Sequence, residues 1–176
     1  MIGETILLLS GEYSQQAAGV SVFTNHSRQG TGNNDMAAVA RLSALQERTI
    51  MVVEDEFFQA KDLAQALAQA GARLMGPFPS LSAAMEALES GNTVDAAVLD
   101  INLRGRVVYD VADMLAERGI PFLFATGYDP DLVPAAHRDR PVCIKPFRIE
   151  VLLAAVADLV AGPSTTDGQQ QAQKLS

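Results

Sequence analysis

From Thr49 to Ala161 the chain repeats one pattern: a short apolar run, then a stretch with apolar residues every three or four positions. This alternation constrains the fold more than any other feature. "TIMVV" (49–53) reads as a buried strand. Ala60, Leu63, Ala64 and Leu67 then mark one face of a helix over 57–70, with Gly71 as its stop. "ARLMGPF" reads as a second strand. Ser80 fits the N-cap of a helix carrying Leu81, Ala84, Met85 and Leu88, closed by Gly91. "DAAVLD" is the third strand. Val108, Val111, Ala112 and Leu115 face inward from a helix over about 107–118 that ends at Gly119. "PFLFAT" (121–126) and "PVCIK" (141–145) are the fourth and fifth strands. Ile149, Leu152, Leu153, Val156 and Val160 form the stripe of a last helix over about 148–161. Strands alternating with helices predict an α/β fold, a doubly wound (βα)5 parallel sheet covered on both faces. In such a sheet, ligands sit beyond the carboxyl ends of the strands.

The flanks lack this regularity. Residues 1–35 are rich in Ser, Gly, Gln, Asn and Thr and read as a disordered leader; 162–176 read as a disordered tail. Over 36–48, Met36, Val39, Leu42 and Leu45 predict a short helix before the 49–161 domain. The net charge of -8 argues against binding nucleic acid or an anionic membrane surface. "ILLL" (6–9) is far too short to span a bilayer, and a lone Cys143 allows no internal disulfide. A cytoplasmic protein is expected.

The strand ends carry the chemistry. The first strand ends in Glu54 and Asp55, the third in Asp100, the fourth in Thr126 and the fifth in Lys145. Singly, these are an acidic loop, a turn cap, a turn hydroxyl and a surface charge. Together they form a set. Clustered carboxylates repel unless a cation intervenes, and Mg²⁺ with oxygen ligands suits Glu54, Asp55 and Asp100. Asp100 can also act as a nucleophile toward phosphorus. Lys145 and the Thr126 hydroxyl can then meet the phosphoryl oxygens.

"VVEDE", "VLDINL", "FATGY" and "IKPF" make residues 48–161 resemble the receiver domain of bacterial two-component response regulators. The resemblance implies the strand order 2-1-3-4-5 of flavodoxin-like sheets. It implies that Asp100 accepts a phosphoryl group from a phosphohistidine on a sensor histidine kinase or phosphotransfer protein. It implies Mg²⁺ bound by Glu54, Asp55, Asp100 and the backbone carbonyl of Asn102, phosphoryl contacts from Thr126 and Lys145, and a cis bond before Pro146. The "FATGY" run resembles a subgroup of stand-alone receivers often associated with HWE-type kinases. There Tyr128 is a switch candidate, although a ring packed beside the site is an equal reading. The strand-5 aromatic of many receivers is replaced by Val142, which removes the usual threonine–aromatic coupling. Pro130 and Pro134 predict a short or mobile element over 129–138.

The expected function is a single-domain response regulator that signals to an unknown downstream protein or serves as a phosphate shuttle or sink. It is not expected to be an enzyme beyond self-phosphorylation from a donor and self-dephosphorylation. The alternative is a receiver-like binding module that is not phosphorylated. A phosphatase is disfavoured because Asn102 stands where that family's signature has a second Asp.

Overall fold

The computed structural model describes residues 13–17, 20–23, 39–127 and 133–162. Its main sheet contains β1 (Tyr13–Ala17), β2 (Val20–Phe23), β3 (Thr49–Val53), β4 (Arg73–Phe78), β5 (Ala96–Leu99), β8 (Phe122–Thr126) and β9 (Val142–Ile144). β6 (Asn102–Leu103) and β7 (Arg106–Val107) form a separate hairpin. The helices are α1 (residues 39–42), α2 (Phe57–Gln69), α3 (Leu81–Glu89), α4 (Tyr109–Glu117) and α5 (Ile149–Ala161). β4, β3, β5, β8 and β9 are parallel and adjacent in that order, which is the expected 2-1-3-4-5 arrangement.

Strand periodicity builds the two cores. Ile50 and Val52 point to one side of the sheet, Met51 and Val53 to the other. Ile50 and Val52 join Leu63 and Leu67 of α2 and Leu152 and Val156 of α5. Met51 and Val53 join Leu81 and Leu88 of α3 and Val111 and Leu115 of α4. Both faces of the central strands are therefore buried, which is why they read as continuous apolar runs.

The leader departs from expectation. β2 pairs in parallel with β9 (Val22 with Val142, Phe23 with Cys143), and β1 pairs antiparallel with β2. Without them β9 would be an edge strand with unpaired amide and carbonyl groups, and an extended segment satisfies these. The "VSVF" alternation was the available sequence signal. The remaining residues of 1–35, and 163–176, lie outside the described residues. The helix expected over 36–48 is observed as α1 followed by a 3-10 turn, Ser43–Leu45. It packs on the domain: Leu45 is fully buried and the Arg41 guanidinium pairs with Asp158 of α5.

β4 carries a bulge opposite β3, where the register runs from Met51–Met75 to Val53–Phe78. Gly76 sits in it at φ +101°, where an added Cβ would stand 2.7 Å from the Val52 carbonyl oxygen. Pro77 is tolerated because β4 is an edge strand. The bulge lets the Phe78 carbonyl accept the amide N–H of Glu54 at 3.0 Å, so it helps hold the first strand end. Gly76→Ala is expected to destabilise the protein by about 2 kcal/mol or more in urea denaturation, from strained backbone and overlap together.

Between β8 and β9 the described chain forms only a 3-10 turn, Ala135–His137, introduced by Pro134. This is the short element expected over 129–138, of which residues 129–132 lie outside the described residues. His137 is buried, its Nε2 2.9 Å from Asp113 Oδ1 on α4, with the rings of Tyr109, Phe122 and Phe124 around it.

Candidate functional site

Sheet register brings the predicted residues together. Val53 pairs with Leu99, so Glu54 and Asp100 emerge side by side, and the Asp100 amide donates to the Val53 carbonyl at 2.9 Å. On the other flank Thr126 pairs with Ile144, and the Lys145 amide donates to the Thr126 carbonyl at 2.8 Å. The Lys145 chain crosses to the acids: Nζ lies 2.6 Å from Glu54 Oε2 and 2.8 Å from Asp100 Oδ2. All three side chains are largely buried. Thr126 is fully buried at its strand end. The bond between Lys145 and Pro146 is cis, as expected; that between Gly76 and Pro77 is also cis. Tyr128 lies outside the described residues.

Local backbone fixes the acids further. Glu54 Oε1 accepts the Glu56 amide at 3.1 Å, and Asp100 Oδ1 accepts the Asn102 amide at 3.1 Å. Glu56 itself turns away: it is the N-cap of α2 and accepts the amides of Phe58 and Gln59. Those bonds hold its carboxyl below the usual 4.5. Of the three acids in "VVEDE", only this last one is spent on the helix.

Glu54 and Lys145 experience their ion pair differently. Burial raises the Glu54 carboxyl above 4.5 and outweighs the bond to Lys145, and the Asp100 charge adds to the rise. Burial alone would lower the Lys145 ammonium, but bonds to Asp100 and Glu54 together outweigh it and hold the group above 10.5.

Glu54, Asp55 and Asp100 each offer an oxygen, all within 4.8 Å of one another. A hard-oxygen donor set of this kind suits Mg²⁺, Mn²⁺ or Ca²⁺. Each carboxylate could serve such an ion directly or through water. The residues fit a divalent cation.

The segment after Asp100 was not foreseen. Leu103 pairs with Arg106 across a two-residue turn, with Arg104 at φ +53° and Gly105 at φ +85°. Positive φ at both positions is the type I′ hairpin. The Gly105 amide donates to Asn102 Oδ1 at 2.6 Å, and Leu103 and Val108 are buried beneath. The tip places Arg104 Nε 3.6 Å from Asp55 Oδ2. The only sequence signal was a glycine at the second turn position, since Arg is not a residue that favours the first.

No protein-family model matches the chain, and no curated protein does. Solved structures do. SdrG from Sphingomonas melonis Fr1 is 40% identical, with a TM-score of 0.57, over 66% of this chain and 98% of SdrG. A response regulator receiver protein from Sinorhizobium medicae WSM419 is 27% identical, with a TM-score of 0.58, over 67% of this chain and 98% of its own. This chain belongs to the response regulator receiver family. The response regulator PhyR from Brucella abortus, 23% identical at a TM-score of 0.61, shares the fold; the receiver here spans 53% of its length. Among the receiver's described residues, no helix is long and apolar enough to cross a membrane.

Proposed function

We propose that this receiver is a phosphoryl acceptor in a two-component pathway of the cytoplasm, with Asp100 as the acceptor and Mg²⁺ as its cofactor. The donor is a phosphohistidine on a sensor histidine kinase, with the "FATGY" run pointing to the HWE type, or on a phosphotransfer protein. The observation that carries this reading is the Lys145 ammonium bridging Glu54 and Asp100 at 2.6 and 2.8 Å beside the buried Thr126. A fixed cation next to a carboxylate nucleophile is what phosphoryl transfer requires, because its catalysis is mostly positioning and charge neutralisation.

In the transfer, a P–O bond forms to an Asp100 carboxylate oxygen as the P–N bond of the phosphohistidine breaks. The imidazole leaves and takes a proton from water. Asp100 is held for attack by the Asn102 amide on Oδ1. Lys145 is placed to exchange its Asp100 contact for a phosphoryl oxygen, and the Thr126 hydroxyl to donate to another. Glu54, Asp55, Asp100 and the Asn102 carbonyl would hold a divalent cation, which when bound would supply further positive charge to the phosphoryl group. Catalysis by this chain is limited to taking up the group and to hydrolysing its own acyl phosphate. Output is by protein contact, or the domain serves as a phosphate shuttle or sink.

The test is intact mass after incubation with Mg²⁺ and a phosphoramidate, the small-molecule form of a phosphohistidine. Addition of one phosphoryl group supports the reading; a folded, Mg²⁺-binding protein that gains none overturns it. A second outcome concerns switching. Amide exchange over residues 124–138 is expected to slow in the phosphorylated state, as Thr126 and Tyr128 order the segment. Identical exchange in both states removes this segment from the signal path.

A further inference from the structure

Arg104 sits at the tip of a hairpin that nothing in the phosphoryl chemistry demands. The tip is pinned: Leu103 and Val108 are buried, the Val108 amide donates to the Ile101 carbonyl at 2.9 Å, and Gly105 is tied to Asn102. The left-handed backbone at Arg104 suits Asn or Gly better, yet the position carries a long cation. That cation is directed at Asp55, the one acid that Lys145 does not reach. Lys145 covers Glu54 and Asp100, and Arg104 covers Asp55. The Arg104 side chain is 75% exposed while Asp55 is 17% exposed, so the arginine can swing into water and the carboxylate stays. Both line one open groove of about 580 Å³ along α2.

We propose that Arg104 is a built-in, displaceable counter-ion for Asp55 that weakens divalent-cation binding and so sets the cation concentration at which the site is loaded. The inference rests on the carboxylate cluster being the cation site. Arg104 is a positioning residue: it acts on Asp55, not on the phosphoryl group.

The test is calorimetric titration of the full chain with Mg²⁺, without any phosphoryl donor, for the parent, Arg104→Gln and Arg104→Lys. All three keep a non-glycine residue at the strained position, so charge is the variable. Arg104→Gln is expected to bind Mg²⁺ about two- to five-fold tighter than the parent, the range for an exposed ion pair. Arg104→Lys is expected to stay near the parent. The gap is expected to shrink in 1 M KCl, where the Debye length falls to about 3 Å; a merely structural effect would not follow salt. Equal or weaker binding by Arg104→Gln, with the parent binding normally, overturns the inference alone. No binding by any of the three overturns the cation-site reading and this inference with it.

Discussion

Asp100→Asn is expected to gain no phosphoryl group under conditions in which the parent gains one, as read by intact mass. The substitution changes little else. Asn keeps the shape of the side chain, and its carbonyl oxygen can still accept from the Asn102 amide or from Lys145, both now within 3.1 Å of Asp100. It removes the anionic oxygen that the proposed transfer needs as its nucleophile, and one of the three clustered carboxylates. The expected effect is complete loss of uptake in a folded protein, with far-ultraviolet circular dichroism like the parent's. Uptake by the variant would place the acceptor on another residue.

Lys145→Met is expected to destabilise the cation-free protein by about 3 kcal/mol in urea denaturation. Removing one partner from a buried, hydrogen-bonded ion pair strands the other charge. Here it strands two, Glu54 and Asp100, with Asp55 close by. Met replaces much of the aliphatic stem, so the loss is chiefly electrostatic. Mg²⁺ is expected to recover part of it by binding the carboxylates left without a counter-ion. The pH dependence has a definite sign. Lys145 has a native pKa raised above 10.5, so its contribution is full below 10.5 and is lost as pH rises through the native value. The gap between parent and variant should therefore hold from neutral pH to about 10.5 and close above it. Glu54 is the opposite case for an acid: raised above 4.5, it favours the native state below 4.5 and ceases to do so as pH rises through its native pKa. A gap unchanged by strong alkali would show that the loss is packing and not charge.

The parallel sheet was legible because burial on both faces forces continuous apolar runs, and each run was short enough to be a strand. The helix faces were legible for the same reason: Leu63 and Leu67, or Val111 and Leu115, must meet the sheet, and they do. The N-cap Ser80 was readable from its position, and its hydroxyl accepts the Ala83 amide at 3.3 Å. The strands of the leader were not legible. Extended segments of four or five residues are weak by themselves, and these join the sheet only through the open edge of β9. The capping role of Glu56 was not legible, because it depends on where α2 begins: its carboxylate accepts the Phe58 and Gln59 amides only once that first turn has formed.

The sequence by itself determined which residue types stand at the ends of which strands, and therefore that three acids, a hydroxyl and a lysine share one edge of the sheet. Residue spacing is local information, and burial periodicity carries it reliably. Only the tertiary structure decided how the charges divide. Lys145 reaches Glu54 and Asp100 because β9 and β3 lie on opposite sides of β5 and β8 at matched heights. Arg104 reaches Asp55 because a type I′ turn folds the chain back after β5. Those pairings depend on distances across the sheet and on a two-residue backbone twist, neither of which any run of residues expresses on its own.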